Sequence, residues 1–182
     1  MNTASHQNYK IVFTGTMGAG KTTAISAISE IPPVITDVAN LDQRSFAKAT
    51  TTVGLDYGEL TLDTQSKLML YGTPGQDRFD FMWPILAQGA LGVILLVDNS
   101  RPDPLADMQY YLKHFREHAE EGAVVIGLGR TETHRRPKLE DYANLLAEKD
   151  WRLPILKVDV RRKRDTLILL QALMGSLEAG AR

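Results

Sequence analysis

The sequence predicts an α/β fold: a six-stranded, mostly parallel sheet with one antiparallel edge strand and helices on both faces. Three observations carry this. Apolar, strand-like runs alternate with amphipathic segments along the 182 residues, the pattern of strands joined by helical crossovers. A glycine-rich turn at 15–20 joins the first apolar run to the first helical segment. Two later runs, 54–62 and 66–71, are separated only by Asp63-Thr64-Gln65. That is too short for a crossover, so they pair as an antiparallel hairpin.

Taken in order, Lys10-Ile11-Val12-Phe13-Thr14 is β-branched and apolar and forms the first strand, and 21–30 forms the first helix. Ile31 to Val53 carries Pro32-Pro33 and little periodicity, and reads as a long functional loop. After the hairpin come a helix at 79–88, a strand at 91–97 and a helix at 103–120. A strand at 123–128, a helix at 138–149, a strand at 154–159 and a helix at 164–178 complete the chain. The last helix shows its core stripe as Leu167, Leu170, Leu173, Met174 and Leu177. One domain over 9–179 is expected, with the polar residues 1–8 as a disordered tail.

Composition narrows the function classes. The chain is 43% hydrophobic and 24% charged with a net charge of −1, which suggests neither nucleic acid nor an anionic membrane as partner. It contains no cysteine, which excludes disulfides, thiolate metal sites and C-terminal prenylation. The polar N-terminus lacks a signal-peptide core, and Asn2 stands where myristoylation needs glycine. The longest apolar run, Leu91 to Val97, is too short to cross a bilayer. A cytoplasmic protein without an integral membrane segment is the default expectation.

Residues 15–22 read Gly-Thr-Met-Gly-Ala-Gly-Lys-Thr, a complete match to G-x-x-x-x-G-K-[ST] between a strand and a helix. Glycines at 15, 18 and 20 let the backbone curl so that N–H groups point inward at phosphate oxygens, and the helix dipole adds to them. Lys21 is expected to reach the β- and γ-phosphates, and Thr22 to offer its hydroxyl to Mg²⁺. Met17, Ala19 and Thr23 complete the expected phosphate-side contacts. The chain is therefore expected to bind a nucleoside triphosphate.

Tyr71-Gly72-Thr73-Pro74-Gly75-Gln76 follows the hairpin, and Thr52 lies between it and the phosphate loop. With these motifs the chain resembles the Ras-like small GTPases of the P-loop NTPase superfamily. Within them it is similar to the bacterial branch of gliding-motility, MglA-like GTPases, whose corresponding segment also contains Pro-Gly-Gln. The resemblance implies a GTP/GDP switch with Mg²⁺ and slow hydrolysis. Thr52 would contact Mg²⁺ and the γ-phosphate in the triphosphate state, Gly75 would bond the γ-phosphate through its N–H, and Gln76 would position the attacking water. Roadblock-type regulators, and a two-component sensor system, are the partners it implies.

Three departures from the family pattern stand out. Gly72 replaces the aspartate that holds Mg²⁺ through water, as in the MglA-like branch, and Asp98 at the end of a strand is a candidate substitute. Gly129-Arg130-Thr131-Glu132 stands where N-K-x-D is expected. Glu132 would accept from guanine N1–H and the 2-amino group, the Arg130 stem would lie over the base, and the glycine removes a strut. Asp159-Val160-Arg161 replaces Ser-Ala-Lys, leaving the Val160 N–H to meet the guanine oxygen. Arg44 and Arg78 lie in the candidate switch segments as weak arginine-finger candidates. The eroded base motif keeps an ATP-dependent P-loop enzyme open, and Gly72 keeps open a nucleotide-binding scaffold with negligible hydrolysis. His114-Phe115-Arg116-Glu117-His118 fits H-x-x-E-H but has no evident third ligand, so a solvated helix face is expected rather than zinc. The basic runs 135–138 and 161–164 are expected on the rim of the nucleotide crevice.

Overall fold

The computed structural model describes residues 7–32, 34–38 and 53–180. Among these residues seven strands form one sheet: β1 (Gln7–Thr14), β2 (Val34–Val38), β3 (Val53–Thr61), β4 (Ser66–Gly72), β5 (Ala90–Asp98), β6 (Val124–Gly129) and β7 (Ile155–Lys157), in the order β2-β3-β4-β1-β5-β6-β7. β4, β1, β5, β6 and β7 run parallel, whereas β3 runs antiparallel to both its neighbours. The α/β fold expected from the sequence is present, with its six strands and one antiparallel member. β2 is additional and lies outside β3, so it takes the edge expected for the hairpin strand. Its five residues follow the two prolines and carry too little periodicity to stand out in the sequence. Gln7 and Asn8, expected in the tail, pair with Ser66 and Lys67, so β1 begins before residue 9.

The alternation of side chains along the strands divides the core in two. Val12, Val93, Leu95, Val97, Val124, Ile126 and Leu128 face one side, under helices α2 (Trp83–Ala87), α3 (Pro104–His114), α4 (Arg116–Glu120) and α5 (Leu139–Ala147). Ile11, Phe13, Leu68, Leu70, Ile94, Leu96 and Val125 face the other, under α1 (Lys21–Ile28) and α6 (Lys163–Gly180). Each fully buried side chain of this size contributes about 1.5–3 kcal/mol.

Asp103 caps α3 by accepting the Ala106 N–H at 3.0 Å, and Pro104 occupies the first turn. The helix expected over 103–120 breaks at Phe115, which leaves helical geometry at φ −110°, ψ 34°. Its ring is buried and stacks on Trp83 at 6.4 Å. The helix expected over 79–88 begins as a 3₁₀ segment, Asp77–Met82, before α2. Strand order reverses around β1, between β4 and β5. In open α/β sheets the crevice at the carboxyl ends of such strands is the binding position. The loop 15–20 leaves β1 at that point.

Candidate nucleotide-binding site

Gly15, Gly18 and Gly20 all adopt positive φ, at 135°, 83° and 99°. At Gly15 the need is twofold, because a Cβ there would stand 2.1 Å from the Leu96 carbonyl oxygen of β5. Lys21 opens α1 and folds its side chain back into the loop. Its Nζ donates to the carbonyl oxygens of Gly15 at 2.7 Å and Thr16 at 2.9 Å. The side chain is buried, 7% exposed. That burial lowers its pKa to about 8, against the opposing effect of the Asp56 charge. An ammonium short of hydration in this way gains from any anion brought to the loop.

Asp56 was not among the residues expected here. Its Oδ2 accepts the Thr22 hydroxyl at 2.6 Å. The β3–β4 register sets Asp56 opposite Gly72. A Cβ at Gly72 would lie 3.0 Å from both Cβ and Oδ2 of Asp56, so the missing side chain at 72 makes room for a carboxylate from the neighbouring strand. The signal was available, since a hairpin centred on Thr64 pairs 56 with 72. The Thr22 hydroxyl and the Asp56 carboxylate are hard oxygen donors in contact, a donor set that fits Mg²⁺.

Asp98, the candidate substitute, is engaged elsewhere. It is 5% exposed and accepts from the Ser100 N–H at 2.9 Å and the Ser100 hydroxyl at 2.6 Å, as well as from the Arg130 guanidinium. Burial works to raise its pKa, but the bonds from Ser100 and the Arg130 charge prevail and hold it below the ordinary value. The carboxylate beside Thr22 is thus Asp56, not Asp98.

On the other flank of the loop, the Met17 N–H donates to the Gly75 carbonyl at 3.1 Å. Gly75 approaches so closely that a Cβ there would be 2.7 Å from Lys21 Nζ. Gln76 is exposed, with Nε2 4.0 Å from Met17 Sδ. The segment is pinned from behind by the Thr14–Thr73 hydroxyl pair at 2.9 Å and by Trp83 Nε1 donating to the Pro74 carbonyl at 3.0 Å. Arg78 lies over the ring of Phe79, 4.7 Å from its centroid. Thr52 and Arg44 lie outside the described residues.

Beyond the loop a cavity of about 620 Å³ is lined by Gly18, Ala19, Gly20 and Thr23 on one side, and by Arg130, Glu132, Asp159, Val160 and Arg161 on the other. The structure therefore gathers both ends of the expected site around one crevice. Arg130 is held at φ 59°, and its Nη2 reaches the Gly18 carbonyl at 3.2 Å. Buried Asn99 braces the 130–137 segment through Nδ2 bonds to the carbonyls of His134 (2.6 Å) and Pro137 (3.2 Å). Arg161 and Arg162 of the second basic run stand at the rim, both ion-paired with Asp159.

His114 and His118 belong to different helices because of the break at Phe115. His114 packs edge-on against Trp83 at 5.1 Å and faces Asp80. No group of three or more metal-ligating side chains occurs among the described residues. No helix among them is long and apolar enough to cross a membrane.

The sheet order, the antiparallel β3 and the glycine loop after β1 together give the small GTPase fold. Comparison with known proteins agrees. Ras-related protein Rab11C of Lotus japonicus is 24% identical over 147 residues, which covers 78% of this chain and 62% of that protein. Ras-related protein RABA2a of Arabidopsis thaliana is 25% identical over the same length, with 78% and 62% covered. Ras-related protein Rab-44 of Homo sapiens is 30% identical over 125 residues, 66% of this chain but 11% of that much longer protein. The homologues are thus Ras-related Rab proteins of the P-loop small GTPase superfamily, and the chain spans less than two thirds of the length of these relatives. The family described as conserved hypothetical ATP binding protein matches residues 42–116.

Proposed function

We propose that the chain is a GTP-binding molecular switch that hydrolyses GTP slowly to GDP. The observation that carries this reading is the buried Lys21 ammonium at the closed end of a glycine loop whose far side opens onto a cavity lined by Glu132. Triphosphate oxygens would take the loop N–H groups and Lys21. Glu132 would accept from guanine N1–H and the 2-amino group, a donor pair that adenine lacks. The Val160 N–H would serve the guanine oxygen, with Arg130 over the base. The ATP binding family match stops at residues 42–116 and so includes neither the phosphate loop nor Glu132; it does not bear on the choice of base.

Mg²⁺, held by Thr22 and Asp56 and in the triphosphate state by Thr52, would supply charge neutralisation at the β- and γ-phosphate oxygens. Gln76 would orient a water in line with the γ-phosphorus. As the new P–O bond forms, the bond to the β–γ bridging oxygen breaks, GDP departs, and the water's proton passes to the released phosphate. Lys21 stabilises the charge that gathers on the bridging oxygen. The Gly75 segment, resting on Met17 and Lys21 here, would move to offer its N–H to the γ-phosphate. That is the switching element. Membership of the MglA-like branch and Roadblock-type regulators belong to the same reading and rest on the motif resemblance.

Single-turnover hydrolysis of GTP by the wild type and Gln76→Ala tests the switch chemistry. The variant is expected to turn over at least about tenfold more slowly with GTP affinity retained. Equal, negligible turnover in both proteins would favour a nucleotide-binding scaffold instead. Asp56→Asn is expected to raise the Mg²⁺ concentration that half-protects bound GDP from release by about tenfold. An unchanged Mg²⁺ dependence would remove Asp56 from the metal corner.

A further inference from the structure

The loop bearing Arg130 and Glu132 needs a fixed position relative to the phosphate loop if one nucleotide is to satisfy both. Gly129, at the end of β6, has no side chain to provide a tie. The tie that exists comes from the neighbouring strand. Asp98 closes β5 at the register position paired with Gly129 and is buried. Through Oδ1 it accepts both donors of Ser100, and through Oδ2 it accepts Arg130 Nη1. Arg130 Nη1 also donates to the Ser100 hydroxyl at 3.1 Å, and its other terminal nitrogen, Nη2, donates to the Gly18 carbonyl at 3.2 Å. One planar guanidinium therefore spans from the end of β5 to the phosphate loop.

We propose that Asp98 is a positioning residue for nucleotide retention: with Ser100 it orients the Arg130 guanidinium across the crevice onto Gly18, and so couples the base loop to the phosphate loop. This rests on the nucleotide-binding reading above. The chemistry suits the task. A guanidinium offers donors in a rigid fork, so fixing one edge on a carboxylate aims the other edge. A lysine at 130 has no such plane and reaches one partner at a time. Arg130 holds a left-handed backbone conformation unusual for a residue with a side chain. The Asp98 contact offsets that cost while keeping the side chain directed at the crevice.

The test is the dissociation rate of fluorescent GDP from loaded wild-type protein, Asp98→Asn, Arg130→Ala, Arg130→Lys and the Asp98→Asn/Arg130→Ala double variant, together with competition by tripolyphosphate, which has phosphates but no base. Asp98→Asn and Arg130→Ala are each expected to speed GDP release about tenfold. The double variant is expected to be no faster than either single one, Arg130→Lys to be intermediate, and tripolyphosphate affinity to stay within about twofold of wild type. Arg130→Lys keeps an aliphatic stem over the base and removes only the guanidinium fork, so faster GDP release from it tests the tie even if Asp98→Asn fails to fold. A role confined to stability would lower the melting temperature without the shared, non-additive change in GDP release. If the wild type retains GDP and either variant releases it at the wild-type rate, or the two effects multiply, the inference is overturned while the nucleotide reading survives. If the wild type binds no GDP, the nucleotide reading itself fails.

Discussion

Lys21→Met is expected to weaken triphosphate binding by at least about a hundredfold, and to remove its alkaline pH dependence. The reason lies in the free protein. Burial has already lowered the Lys21 pKa from 10.5 to about 8, so the charged form sits in a loop that hydrates it poorly. A bound triphosphate supplies the missing counter-charge and raises that pKa again. Above pH 8, binding therefore takes up a proton. Wild-type affinity should vary little below about pH 8 and fall as pH rises beyond it, whereas the methionine variant should show no such fall. The same shift acts on folding with its own sign. Between about pH 8 and 10.5 the unfolded chain holds the Lys21 proton more tightly than the folded one. This group's contribution to the stability of the nucleotide-free protein therefore rises with pH through that window. Titrations with a fluorescent nucleotide at pH 7, 8 and 9, and calorimetry in buffers of different ionisation enthalpy, read the affinity profile and the proton uptake on binding. Equal pH profiles in the two proteins would show that Lys21 does not carry the coupling.

Gly15→Ala is expected to destabilise the fold by about 3 kcal/mol or more, a fall of roughly 10 °C in melting temperature for a chain of this size. Two costs combine there. The backbone sits at φ 135°, and the added methyl would meet the Leu96 carbonyl of central strand β5 at 2.1 Å. That atom belongs to a hydrogen-bonded sheet interior and has nowhere to retreat. Gly18→Ala is the control. Its φ of 83° is also left-handed, but nothing lies within 4 Å of the added Cβ, so only the backbone strain remains, about 1 kcal/mol. Thermal unfolding of both variants without nucleotide separates the terms. Equal losses would show that contact with β5 does not set the requirement at Gly15.

What was legible in the residues was what chemistry concentrates locally. The phosphate loop is eight consecutive positions, and the two core faces follow from strict alternation in Ile11-Val12-Phe13 and Val93-Ile94-Leu95-Leu96-Val97. The regions missed are those set by pairing across strands. Asp56 reads as an ordinary polar strand residue until the hairpin register brings it to Gly72 and Thr22. Asp98 and Asn99 look like loop caps, yet they brace the base loop from a different strand. β2 escaped notice because an edge strand of five residues needs little periodicity. The break in the long helix was hidden because Phe115 continues the apolar pattern while its backbone leaves the helix.

The central claim is that one crevice binds a guanine nucleotide between Lys21 and Glu132. Competition of GTP, GDP and ATP against a fluorescent GDP analogue in the presence of Mg²⁺, with wild type and Glu132→Ala side by side, tests it most directly. The account predicts that GTP and GDP displace the probe at least about a hundredfold more effectively than ATP from the wild type, and that Glu132→Ala loses most of that preference. A wild-type preference for ATP, or an unchanged guanine preference in Glu132→Ala, would contradict it.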